Sequence, residues 1–142
     1  MILFVSISLP EIALSPNKSS HHQAKAKAVK VQRTEAWGKA RSALQKGGFS
    51  KATRARISAV FLMGQRELYP STSYYRPRDR QNAISSIKGA VDGLVDAGVL
   101  EADSHKYLDW GPVVLKRDAK EHGGKVGVIL QIENLDDMEV GR

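Results

Sequence analysis

The chain has 142 residues, 42% of them hydrophobic and 26% charged, an ordinary globular balance and enough length for one domain with a real core. It contains no cysteine, which excludes disulfides, thiolate metal sites and cysteine nucleophiles and fits a reducing cytoplasm. The net charge of +7 is unevenly placed: residues 18–56 carry 11 Lys/Arg against one acid, and residues 92–142 carry 6 against 11 acids.

Residues 2–9 read as a strand, because Leu3, Val5, Ile7 and Leu9 alternate with Phe4, Ser6 and Ser8. The opening Met1–Leu9 has no basic flank, a short apolar run and no small-residue cleavage site after it, so it is not expected to be a signal peptide. No segment approaches the roughly 20 apolar residues of a membrane span, and the protein reads as cytoplasmic, with no membrane partner. Pro10 to Asn17 is a loop.

Residues 20–46 read as a helix. Ala26, Val29, Ala36, Trp37, Ala40 and Leu44 fall near one face, with Lys25, Lys27, Lys30, Lys39 and Lys46 largely elsewhere. Trp37 reads as a core anchor ahead of a base-stacking residue. Gly47-Gly48 stops the helix. Residues 54–64 read as a second strand, with Ile57, Ala59, Phe61 and Met63 on one side.

Arg66 to Arg80 is a polar loop rich in Tyr and Arg. Residues 82–97 read as one helix with an apolar stripe of Ile84, Ile87, Val91, Leu94 and Val95, ended by Gly98. Residues 107–117 and 125–133 read as two strands forming a closing hairpin through Gly123-Gly124, and the acidic tail Asn134–Arg142 is expected to fray. The order β-α-β-α-β-β implies one small α/β or α+β domain over residues 1–142, with two main helices on a mixed or mostly antiparallel sheet.

Phosphodiester cleavage at neutral pH needs an activated water, charge neutralisation and a stabilised leaving oxygen. Mg²⁺ held by clustered carboxylates supplies these, and a nearby lysine assists. Asp79, Lys88 and Asp103 are the right residue types. Each also has a plainer reading: Asp79 pairs with its flanking arginines, Lys88 pairs with Asp92 one turn on, and Asp103 forms a turn. No Gly-rich phosphate loop or Ser/His/Asp signature is present, and the adjacent His21 and His22 lack metal-ligand spacing.

The run Arg76-Pro-Arg-Asp-Arg-Gln-Asn82, then Lys88, then Asp92-Gly-Leu-Val-Asp-Ala-Gly-Val-Leu100 and Asp103-Ser104 resembles the RusA-type Holliday-junction resolvases, including their phage-borne relatives. The early Leu9-Pro10 and Ser15-Pro-Asn17 segment and the closing strands sit where that family has them. The resemblance implies a Mg²⁺-dependent, or Mn²⁺-dependent, endonuclease that resolves four-way or branched DNA, in a bacterial or phage-infected cytoplasm. Its site residues would be Asp79, Lys88 and Asp103, with Asn82 matching the family's asparagine. Gln81 falls where the family has a second metal-binding aspartate; it offers a carbonyl oxygen but no charge. The alternative is a branched-DNA-binding protein of the same fold that has lost its chemistry.

An unbroken 82–97 helix would be roughly 22 Å long. Residues 98–103 span at most about 20 Å, so bringing Asp79 and Asp103 together within one chain is strained. That geometry suggests a homodimer with composite sites: Asp79, Gln81 and Lys88 from one copy and Asp103 from the other. Nucleic acid is the simplest partner for the basic front of the chain, a solvated lysine helix being the plainer reading. Arg76, Arg78, Arg80 and Asn82 are candidates for DNA contacts near the scissile bond, and Lys25, Lys27, Lys30 and Arg33 for the flanking backbone, with Asn17 and Lys18 in the early loop. Tyr69, Tyr74 and Tyr75 either stack on exposed bases or pack beneath the loop.

Overall fold

A computed structural model of the chain describes residues 1–15, 22–64, 74–102, 104, 106–117, 123 and 125–136. The chain runs β1 (Ile2–Ile7), a 3-10 turn (Ile12–Leu14), α1 (His22–Gln45), β2 (Ala55–Leu62), α2 (Arg80–Ser86), α3 (Lys88–Ala97), β3 (Leu108–Lys116) and β4 (Gly127–Asn134). The fold is α+β, with a four-stranded mixed sheet in the order β1-β4-β2-β3. No described helix is long and apolar enough to cross a membrane.

The alternation read in the first two strands holds. Leu3, Val5 and Ile7 of β1 and Ile57, Ala59 and Phe61 of β2 point into the core, as do Leu9 and Met63 just beyond them. They join Val128, Leu130 and Ile132 of β4 and the inner faces of α1 and α3 in one hydrophobic cluster. The opposite sheet face exposes Ile2, Phe4 and Val114.

The closing hairpin is corrected. β4 pairs antiparallel with both β1 and β2, and β3 pairs only with β2, in parallel. The reason is local. β3 contains Gly111-Pro112, and the register with β2 slips between Ile57 and Ala59 opposite them. Proline gives no ladder donor, so it belongs on an edge strand, and β3 is one. β4, with Val128, Leu130 and Ile132 fully buried, takes the central place. The predicted frayed tail is also corrected at its start. Leu135 is buried, and the Asp136 carboxylate accepts from the Thr53 and Arg54 amides at 2.9 Å each. Residues 137–142 lie outside the described residues.

Trp37 is not a core anchor; it is 46% exposed. The buried face of α1 is Ala28, Gln32, Ala36 and Ala40, small residues at four-residue spacing. They let α3 approach closely. A β-carbon on Gly93 would overlap the Arg33 carbonyl oxygen and lie 2.9 Å from the Ala36 β-carbon. Backbone fills that contact, which leaves no room for an indole. Across the same interface the Arg33 guanidinium grips Asp96 with two hydrogen bonds, at 2.5 and 2.9 Å.

The predicted 82–97 helix is two helices. It starts two residues earlier and breaks at Ile87, whose φ of −118° and ψ of 20° lie off helical values. The Ile87 amide reaches back only three residues, to the Ile84 carbonyl. The break is closed from outside by Gln32: Nε2 donates to the Ser86 carbonyl, and Oε1 accepts from the Ala90 amide, both at 3.0 Å. The single 82–97 helix assumed in the composite-dimer argument is therefore two helices that meet at Ile87.

Candidate functional site

Asp79 is the N-cap of α2. Its backbone is extended, with φ −145° and ψ 171°, and its Oδ1 accepts the Asn82 amide at 2.9 Å. Asp at the N-cap satisfies an amide that has no partner within the helix and places a negative charge at the positive end of the helix dipole. The Asn82 side chain adds a second tie, Nδ2 donating to Asp79 Oδ2 at 3.1 Å. Both carboxylate oxygens are thus oriented, yet each keeps a lone pair free, and the residue is exposed.

The loop before Asp79 is fixed from three sides. The Tyr75 amide donates to the Pro10 carbonyl at 2.8 Å, and Glu11 bridges to Tyr74, so the early loop and the arginine loop are packed together. The Tyr75 hydroxyl bonds to Ser15, and burial pushes its pKa above the ordinary value, with the nearby Asp79 charge adding to the rise. Arg117, just past β3, reaches the Pro77 and Arg78 carbonyls, both at 3.4 Å. The Arg80 guanidinium donates to the Gly111 carbonyl of β3 at 3.3 Å.

The arginine loop therefore presents exposed Arg78, Asp79, Arg80 and Gln81, with Arg76 half-buried behind them. Arg117 was missed by sequence reading, since its contacts lie some forty residues away along the chain. The Asn82 side-chain amide, a candidate DNA contact, donates to Asp79. Tyr75 is half-buried against the loop, Tyr74 is 43% exposed, and Tyr69 lies outside the described residues.

Lys88 is the exposed first residue of α3. It shares a cleft with Lys25 of α1 and Ser85 of α2, and Asp79 is not among the residues lining it. Lys25, Lys27 and Lys30 are exposed on α1. Arg33 is engaged with Asp96, and its hydrogen bond and charge hold that carboxyl below the usual carboxylate range. Asp103, Asn17, Lys18 and His21 lie outside the described residues. Among the described residues no three His, Asp or Glu side chains gather closely enough to hold a metal ion.

No protein-family model and no curated protein matches the chain.

Mg²⁺ takes oxygen ligands, keeps several waters and is commonly held by one or two carboxylates. Asp79, an exposed and oriented carboxylate, is a donor of that kind.

Proposed function

We propose that the chain is a Mg²⁺-dependent endonuclease acting on four-way or branched DNA in a bacterial or phage-infected cytoplasm. The observation that carries the reading is the head of α2. An exposed carboxylate, Asp79, is oriented by Asn82 and flanked by exposed Arg78 and Arg80 on a loop braced by Arg117 and Tyr75. The sequence from Arg76 to Ser104, which resembles the RusA-type resolvases, adds to it.

In this reading Asp79, Gln81 and Asp103 hold the Mg²⁺. The metal supplies an activated water and neutralises charge on the scissile phosphate. Arg78 and Arg80 bind the phosphates on either side through charged, forked hydrogen bonds. Asn82 keeps the Asp79 carboxylate aimed. Lys25, Lys27 and Lys30 extend the contact along the backbone without reading sequence, so binding falls steeply with salt. A homodimer suits the substrate, since a four-way junction has two-fold symmetry and needs paired cuts. In such a dimer Asp79 and Gln81 of one copy would share a site with Asp103 of the other.

A second reading rests on Gln81. A neutral amide where the resemblance expects an aspartate lowers the charge available to the metal, which favours a branched-DNA-binding protein without cleavage. Incubation with a synthetic four-way junction, with and without Mg²⁺, separates the two: paired nicks support the nuclease, and tight binding without nicks supports the binder.

A further inference from the structure

The break between α2 and α3 opens a cleft of about 270 Å³ against α1. Lys25 enters from α1 and Lys88 from the first residue of α3, with Ser85 beside them. No carboxylate is among the described residues that line it. Lys25 and Lys88 both line the cleft, and an anion bound between them would be attracted by both charges. The floor is set by Gly89. A β-carbon there would come within 2.8 Å of Gln32 Oε1 and 3.0 Å of the Val29 carbonyl oxygen, so only glycine lets α3 lie this close to α1 at the cleft wall. Clefts that take drug-sized ligands run from about 300 to 1,000 Å³. This one is smaller and suits a phosphate with its waters better than a nucleoside.

We infer that this cleft is a phosphate-binding site, in which Lys25 and Lys88 together hold one phosphate of the nucleic-acid backbone, away from the Asp79 end of α2. The inference rests on the nucleic-acid reading for the source of the phosphate, and it assigns Lys88 to binding. The Ser85 hydroxyl adds a donor. Gln32 already accepts the Ala90 amide, so the lysines carry the recognition.

The test has two arms, run on the full chain with Lys25→Ala, Lys88→Ala, the double variant and Lys39→Ala as a control. In the first, pyrophosphate is titrated without divalent metal while the amide resonances of Ser86 and Gly89 are followed. Saturable shifts are expected in the wild type and the Lys39 variant, and their loss in either cleft variant. In the second, affinity for a four-way junction is measured in EDTA across salt concentrations. Each single variant should reduce the logarithmic salt slope by about one, or roughly tenfold in affinity at 0.1 M salt. The double variant should fall short of the product of the two, as expected for lysines sharing one phosphate. Pyrophosphate binding without junction binding would leave the anion site standing, with free phosphate as its source, and would overturn the nucleic-acid reading. Absence of pyrophosphate shifts together with unchanged junction affinity in Lys25→Ala would overturn the site. So would a Lys88→Ala variant that binds junction normally in EDTA and loses cleavage alone.

Discussion

The Gln32 side chain and the Ser86 carbonyl, 54 residues apart in the chain, are joined by a 3.0 Å hydrogen bond that closes the break between α2 and α3. The other end of the same amide accepts from Ala90. One buried side chain thus satisfies the last carbonyl of α2 and a first-turn amide of α3, which would otherwise be unmet away from water. Gln32→Leu keeps the size and removes both bonds. With each stranded group costing about 1–3 kcal/mol, the variant should lose about 2–6 kcal/mol of stability in urea unfolding. A loss below about 0.5 kcal/mol would mean that the break holds without Gln32.

Close approach of α1 and α3 depends on Gly93. Gly93→Ala places a methyl against the Arg33 carbonyl oxygen and the Trp37 amide and should cost about 1–3 kcal/mol as the helices separate. Gly38→Ala is the matched control. It lies inside α1, its β-carbon meets nothing within 4 Å, and the helix gains propensity of up to about 1 kcal/mol. Thermal unfolding of the two variants should shift in opposite directions.

The Arg33–Asp96 pair predicts a pH dependence. The hydrogen bond from Arg33 first, and then its charge, lower the folded-state pKa of Asp96 from its ordinary 3.8. A depressed carboxyl pKa contributes stability above the unfolded value, lost as pH falls through the folded one. Asp96→Asn should therefore flatten the acid limb of the stability profile below about pH 4 and leave its shape near neutrality unchanged. Arg33→Ala should weaken the fold and leave junction affinity nearly unchanged, since its guanidinium is committed to Asp96. A large affinity loss at unaltered stability would return Arg33 to the DNA-binding surface.

Asn82 is a positioning residue in this account. Asn82→Ala keeps Asp79 as the N-cap through the backbone amide and frees Oδ2. The cleavage rate should drop while junction affinity in EDTA stays within about twofold, because no phosphate contact is removed. Asn82→Ser, with a shorter donor, should recover part of the rate. Equal losses in binding and cleavage would assign Asn82 to the DNA instead.

Much of the fold was legible because its signals are local. Alternation marked β1 and β2, and the buried positions match it. The Asp79 cap is also a local signal: Asp is among the residues most favoured at a helix N-cap, where its side chain accepts an amide two or three residues on. What escaped depends on distant partners. The Ile87 break is invisible from residues 82–97, because the group that makes it tolerable is Gln32. Trp37 was misplaced because periodicity reports which residues share a face and not how near the neighbouring backbone comes; Gly93 fills that space. The supposed hairpin followed from short spacing and a Gly-Gly turn, although Pro112 already marked β3 as an edge strand. The arginine loop was found by its composition, but its bracing by Arg117 and Tyr75 crosses between elements that only the folded chain brings together.

The central claim is that Asp79, held at the head of α2 by Asn82, is a metal-binding carboxylate of a junction-cleaving site. The most direct measurement is cleavage of an end-labelled synthetic four-way junction by wild type, Asp79→Asn, Asp103→Asn and Gln81→Asp, with Mg²⁺ or Mn²⁺ and in EDTA. The account predicts symmetric paired nicks that require metal, vanish in both Asp→Asn variants while junction binding persists, and strengthen or need less metal in Gln81→Asp. Tight junction binding by the wild type with no nicks at any metal concentration, or nicking that survives Asp79→Asn, would contradict it.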